Sequence, residues 1–208
     1  EFYKNMVPFD YKEYICVVSD PRKAHEFNKL YTVKYLGNVV EGNRVKYLNL
    51  PIDDLKQLAI KSIDANEAVW YGCDVGKWMH SAQCAMDLDL VNFSDLLGTE
   101  FPMNKESRLL SGDSLMTHAM VLTGYNRCLS CSSVRESDKV SVDRWQVENS
   151  WDTKGPASGF YVMTDKWFDQ YTFEVVVNKK YLSDAQRELL SGTEIAELKP
   201  WDPMGSLA

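Results

Sequence analysis

No stretch of the 208 residues approaches the eighteen or so consecutive apolar positions that a membrane helix needs, so no membrane span is expected. An excess of basic residues is missing as well. With 30 Asp and Glu against 23 Lys and Arg, the formal net charge is −7, a field that repels a phosphate backbone and leaves nucleic-acid binding unsupported. Cysteines are few: five, an odd number, with Cys16, Cys73, Cys84, Cys128 and Cys131 scattered through apolar and loop contexts. That spacing excludes a dense disulfide framework and points to a reducing, cytosolic compartment. His25 and His80 lie too far apart in sequence to argue for a site, and the Cys128-x-x-Cys131 pair lacks the second Cys or His pair of a zinc centre. No metal and no cofactor are therefore expected. The amino end, Glu1-Phe2-Tyr3-Lys4-Asn5-Met6, has neither an initiator methionine nor the basic region and apolar stretch of a signal peptide, and reads as an internal cut.

Against these absences stands a hydrophobic content of 45% with 12% aromatic residues, enough for a substantial core. Tyr31–Leu36 alternates as a half-buried strand and, across the turn-prone Glu41-Gly42-Asn43, pairs with Val45–Leu48 as a hairpin. Asn49 is placed to cap a helix with Pro51, Asp53 and Asp54 in its first turn and Ile52, Leu55, Leu58, Ala59 and Ile63 at helical spacing. Ala68–Gly72 reads as a buried strand, and Lys77–Leu110 as short helical pieces and loops. From Leu115 onward Met116–Tyr125, Arg144–Glu148, Phe160–Thr164 and Phe173–Val177 are strand-like, with a polar surface loop over 126–141. Asp165–Gln170 predicts a short helix, Ser183 with Gln186 a capping box for a helix through Leu190, and Pro200 and Pro203 an extended tail over 197–208.

The chemistry concentrates in two places: His118, within Met116-Thr117-His118-Ala119-Met120-Val121, and Asn149, within Trp145-Gln146-Val147-Glu148-Asn149-Ser150-Trp151. In a thiol peptidase a histidine takes the thiol proton, an asparagine oxygen accepts its other ring N–H, and a nearby tryptophan shields that bond from water. His-Ala followed about thirty residues later by Val-Glu-Asn-Ser-Trp resembles the histidine and asparagine segments of the papain family. Ala68–Lys77, Ser114–Met120, the ending Pro200–Ala208 and Ser19-Asp20-Pro21 together are similar to its bleomycin hydrolase (aminopeptidase C) group.

That resemblance implies an α+β, papain-like fold, of which this chain is the sheet-rich histidine and asparagine half. Residues 1–112 would be mixed helical and hairpin segments of the catalytic unit, 113–192 the sheet-rich part, and 193–208 a carboxy-terminal arm entering the active-site cleft. It further implies an intracellular thiol aminopeptidase, often a homohexameric ring, acting on peptide substrates. His118 would be general base and then acid, Asn149 its orienter, Trp151 the shield, and the carboxylate of Ala208 the anchor for the substrate's free amine.

The group's Gln-x-x-x-x-x-Cys-Trp segment is nowhere in the sequence, so the nucleophile is expected on an amino-terminal half. Cys73 is no substitute, because Asp74 follows it where the family has tryptophan and a neighbouring carboxylate raises a thiol pKa. Asp152 replaces the glycine usual after Asn-Ser-Trp, and Cys128 and Cys131 are expected to be exposed thiols or, at some risk, oxidisable ones. The alternative is a catalytically inactive papain-like binding or assembly module; for the tail, the physical alternative is a frayed terminus.

Overall fold

The valine-rich and aromatic runs do become strands. The computed structural model describes residues 2–6, 10–37, 40–42, 44–128, 140–151, 157–192 and 194–205. Its strands are β1 (Tyr14–Val18), β2 (Lys29–Val33), β3 (Tyr47–Asn49), β4 (Val69–Cys73), β5 (Met79–His80), β6 (Ala85–Met86), β7 (His118–Arg127), β8 (Val142–Glu148), β9 (Phe160–Thr164), β10 (Thr172–Asn178) and β11 (Ala196–Leu198). They form one sheet in the order β11-β2-β3-β1-β10-β4-β7-β8-β9-β6-β5. Pairing is antiparallel from β1 through β10, β4, β7 and β8 to β9, while β1–β3, β2–β11 and β6–β9 are parallel.

Helices α1 (Phe2–Met6), α2 (Ile52–Asp64), α3 (Phe93–Leu97), α4 (Lys105–Ser111), α5 (Asp165–Tyr171) and α6 (Asp184–Leu190) complete an α+β architecture. The apolar stripe of α2 (Leu55, Leu58, Ala59) is buried in the main core and lies against β10, β7 and β4. Nearby, the Trp145 and Phe168 rings stack at 4.9 Å, and the indole N–H of Trp145 donates to Asp165 Oδ1 at 3.0 Å. Trp145 is fully buried, so truncating it to alanine would cost about 3–5 kcal/mol. α6 carries the expected reciprocal capping box between Ser183 and Gln186.

Several expectations are corrected. Asn49 does not cap α2: Pro51 holds that position without a side-chain hydrogen bond, and Asn49 is the last residue of β3. Its fully buried amide instead accepts from the Asp20 N–H at 2.9 Å and donates to the carbonyls of Asp20 and His25, both at 3.1 Å. Strand pairing satisfied its backbone, leaving its side chain to close the 20–26 loop.

The first hairpin strand runs over 29–33 rather than 31–36, because Tyr35 adopts φ 63° and turns the chain. Tyr14–Val18, where the sequence showed only spaced aromatics, is a strand between β3 and β10. The tail is extended only over β11 and then turns, with a 3-10 turn at Pro203–Gly205. It is not frayed there: Met204 is buried, and a Cβ on Gly205 would lie 2.9 Å from Val33 Cγ1, so a larger residue would force Val33 to shift. Among the described residues, no helix is long and apolar enough to cross a membrane.

Candidate active site

β7 begins at His118 and β8 ends at Glu148, with Asn149 next. Their antiparallel register pairs Val121 with Glu148. Continued three residues beyond the end of β8, that register sets Trp151 across from His118 and puts Asn149 on the same face. A hairpin thus brings together side chains 31 positions apart: His118 Nε2 and Asn149 Oδ1 lie 2.9 Å from each other. An amide oxygen only accepts, so Nε2 carries the proton and Nδ1 is the basic nitrogen. No described residue occupies Nδ1. The Trp151 ring lies 4.9 Å from the imidazole, tilted by 40°, and is itself half exposed. Asn149 is buried; its N–H donates to the Gly159 carbonyl at 2.9 Å, while its Nδ2 has no partner among the described residues.

The segment leading into His118 is tied down from below. Ser114 Oγ donates to Asp74 Oδ2 at 2.7 Å and Thr117 Oγ1 to Asp74 Oδ1 at 3.3 Å. The Thr117 N–H bonds the Cys73 carbonyl at 2.9 Å and the Met116 N–H bonds the Pro203 carbonyl at 3.3 Å. The tail is therefore stitched to the chain just before His118. Asp74 had been noted only as Cys73's neighbour; its burial beside two hydroxyls needed the fold.

Cys73 pairs in register with His118, but its buried thiol sits 3.6 Å from the His118 carbonyl oxygen rather than against the ring. Burial, and after it the Asp74 charge, pushes this thiol well above its ordinary range. Burial, not the neighbouring carboxylate, is the larger cause. Cys128 is disulfide-bonded, the oxidised of the two outcomes expected for it rather than an exposed thiol. Cys131, Asp152 and Ala208 lie outside the described residues. His80 Nδ1 accepts from the Gln83 N–H at 3.2 Å, and His25 Nδ1 sits on Asp20 Oδ2 at 2.5 Å, so neither histidine joins the site. Among the described residues, no group of His, Cys, Asp and Glu could hold a metal ion.

Comparison with known proteins places this geometry in context. The model of the Peptidase C1-like family matches residues 1–205. Aminopeptidase C of Listeria innocua serovar 6a is 45% identical over 208 residues, spanning 100% of this chain and 45% of the relative. Bleomycin hydrolase of Homo sapiens is 42% identical over 211 residues, again 100% of this chain and 45% of the relative. The chain thus spans somewhat under half the length of these curated relatives. A crystal structure of pepw from Lactobacillus rhamnosis HN001 superposes with a TM-score of 0.90 at 40% identity, covering 99% of this chain and 44% of that one.

Proposed function

The chain belongs to the Peptidase C1-like family, and on that premise we propose that it is the carboxy-terminal portion of a cysteine-type aminopeptidase that hydrolyses peptide bonds from the amino end. The 2.9 Å bond between His118 Nε2 and Asn149 Oδ1 carries this reading, because it commits Nε2 as the donor and leaves Nδ1 as the nitrogen that can exchange a proton. A cysteine on the amino-terminal half gives its thiol proton to Nδ1, forming a thiolate–imidazolium pair. The thiolate attacks the scissile carbonyl carbon; as the C–N bond breaks, the imidazolium returns that proton to the leaving amine. Water, deprotonated by Nδ1, then hydrolyses the thioester, and the proton goes back to the sulfur. Asn149 keeps the ring oriented throughout, and Trp151 limits water at their bond.

The arm is residues 193–208, following the catalytic unit built by 1–112 and 113–192. Its Pro203 carbonyl bonds the chain at Met116, two residues before His118, and the Ala208 carboxylate is the proposed anchor for a substrate's ammonium. The proposed assembly is a ring of six full-length copies in the cytoplasm. Among the described residues, the free thiol in register with His118 is Cys73, and it is buried. That same observation favours the second reading, a catalytically inactive binding or assembly module.

An electrophilic thiol-peptidase probe applied to the full-length protein separates the two. Labelling of a species containing this chain, lowered on the order of 10³-fold or more by His118→Ala, is the expected result. Absence of any labelled species leaves the inactive module.

A further inference from the structure

Beside the tail lies a buried chain of charges that the chemistry above does not use. Arg22 Nη2 donates at 2.7 Å to both Asp20 Oδ2 and Asp202 Oδ1, while its Nε reaches Asp20 Oδ1 at 2.9 Å. The Arg22, Asp20 and Asp202 side chains are only 9%, 4% and 11% exposed. Burial by itself would raise the Asp20 carboxyl, but hydrogen bonds from His25 and Arg22 overcome it and hold it at about 2. Asp20 is fixed in turn by Asn49, at the end of β3. Asp202 is the only member of this chain of contacts contributed by the tail, and its other role is local: Oδ1 accepts the Met204 N–H and its carbonyl the Gly205 N–H, both at 2.9 Å.

Charge this deeply buried is costly to desolvate, and a tail needing only attachment could have used apolar contacts. What the bidentate guanidinium adds is direction. It fixes the turn at 202–205, whose Pro203 carbonyl bonds the chain two residues before His118. We propose that Asp20, Arg22 and Asp202 form a positioning clamp that sets the register of the tail against the His118 strand, and thereby the preference for substrates with a free amino end. The clamp does not touch the reacting atoms; Arg22 and Asp202 are positioning residues. This inference rests on the arm reading given above.

The test uses the full-length protein and compares kcat/KM for a peptide with a free amino end against its N-acetylated counterpart. Asp202→Ala is expected to lower that preference tenfold or more while leaving the rate of thiol labelling unchanged within twofold. Asp202→Asn, which keeps an oxygen for Arg22 and Met204, should restore most of the preference. An unchanged preference in Asp202→Ala overturns the clamp. So does loss of labelling in that variant, because a positioning residue spares the thiol–imidazole pair. Deletion of 200–208 distinguishes the two readings: if the preference falls on deletion but not in Asp202→Ala, only the clamp fails. If deletion leaves it intact, the arm reading fails with it.

Discussion

Two polar clusters in this molecule are built on opposite plans. Around Asp20, buried donors and acceptors are matched by Arg22, His25, Asn49 and Asp202. At the candidate active site one side-chain bond joins His118 to Asn149, with Nδ1 and Nδ2 left unoccupied by described residues and a half-exposed Trp151 alongside. A cluster that has satisfied its groups locks backbone in place; one that keeps a lone pair and a donor in reserve can accept a proton or a ligand. A third buried polar group follows neither plan. Glu174, beside the Cys16 thiol, has no cation among the described residues to hold it ionised, so burial raises its carboxyl to about 7, opposite in direction to Asp20.

The sharpest way to break the contrast is at Arg22. Arg22→Met leaves Asp20 and Asp202 without their shared cation, and stability in urea is expected to fall by about 3–5 kcal/mol. A loss below about 1 kcal/mol would mean the cluster is dispensable for the fold. Glu174→Gln comes next. In the folded protein Glu174 titrates near 7, above the ordinary carboxylate value of 4.5, so the fold binds the extra proton between those values. The contribution is fully present below about 4.5 and is lost as pH rises to about 7. At pH 8 the glutamine variant should be more stable by about 3 kcal/mol and show a flatter melting-temperature profile from pH 4.5 to 7. An identical profile would place the Glu174 pKa in its ordinary range.

At the site the balance between fold and turnover reverses. Asn149→Ala is expected to lower kcat/KM of the full-length protein by about 10–100-fold through loss of imidazole orientation. Its midpoint in urea should move by less than the Arg22 variant's. Trp151→Ala should be the mildest, about 2–5-fold in kcat/KM with stability held within about 1 kcal/mol, because half of that ring already faces solvent. If Trp151→Ala matched Asn149→Ala in turnover, shielding would count for as much as orientation.

Much of this was legible in one dimension. Alternation in β8 buries Trp145 and Val147 and exposes Arg144, Gln146 and Glu148, as period-two spacing requires. The Ser183 and Gln186 pair needed only three positions of separation to specify a helix start. His118 and Asn149 were found because the residue types and their spacing resemble a known pair, not because spacing itself implies contact. β1 was missed since Tyr14–Val18 is short and flanked by other aromatics, and its strand character comes from β3 and β10 on either side. Asn49 was misread because a cap and a strand-end amide look alike in sequence, and the choice fell to the loop that needed its hydrogen bonds.

Local periodicity and capping chemistry lie within a few residues of each other, so the sequence by itself determined where α2, α5, α6 and most strands form and which faces they bury, while α1, α3 and α4 were not placed. Only the tertiary structure decided that Arg22 would meet Asp202, 180 positions away, and that the tail would be bonded beside His118. It also decided that Cys73 would be a buried, protonated core thiol although its strand partner is His118. Those outcomes depend on sheet register and on the dielectric of a closed core, quantities that exist only once distant segments have been brought together.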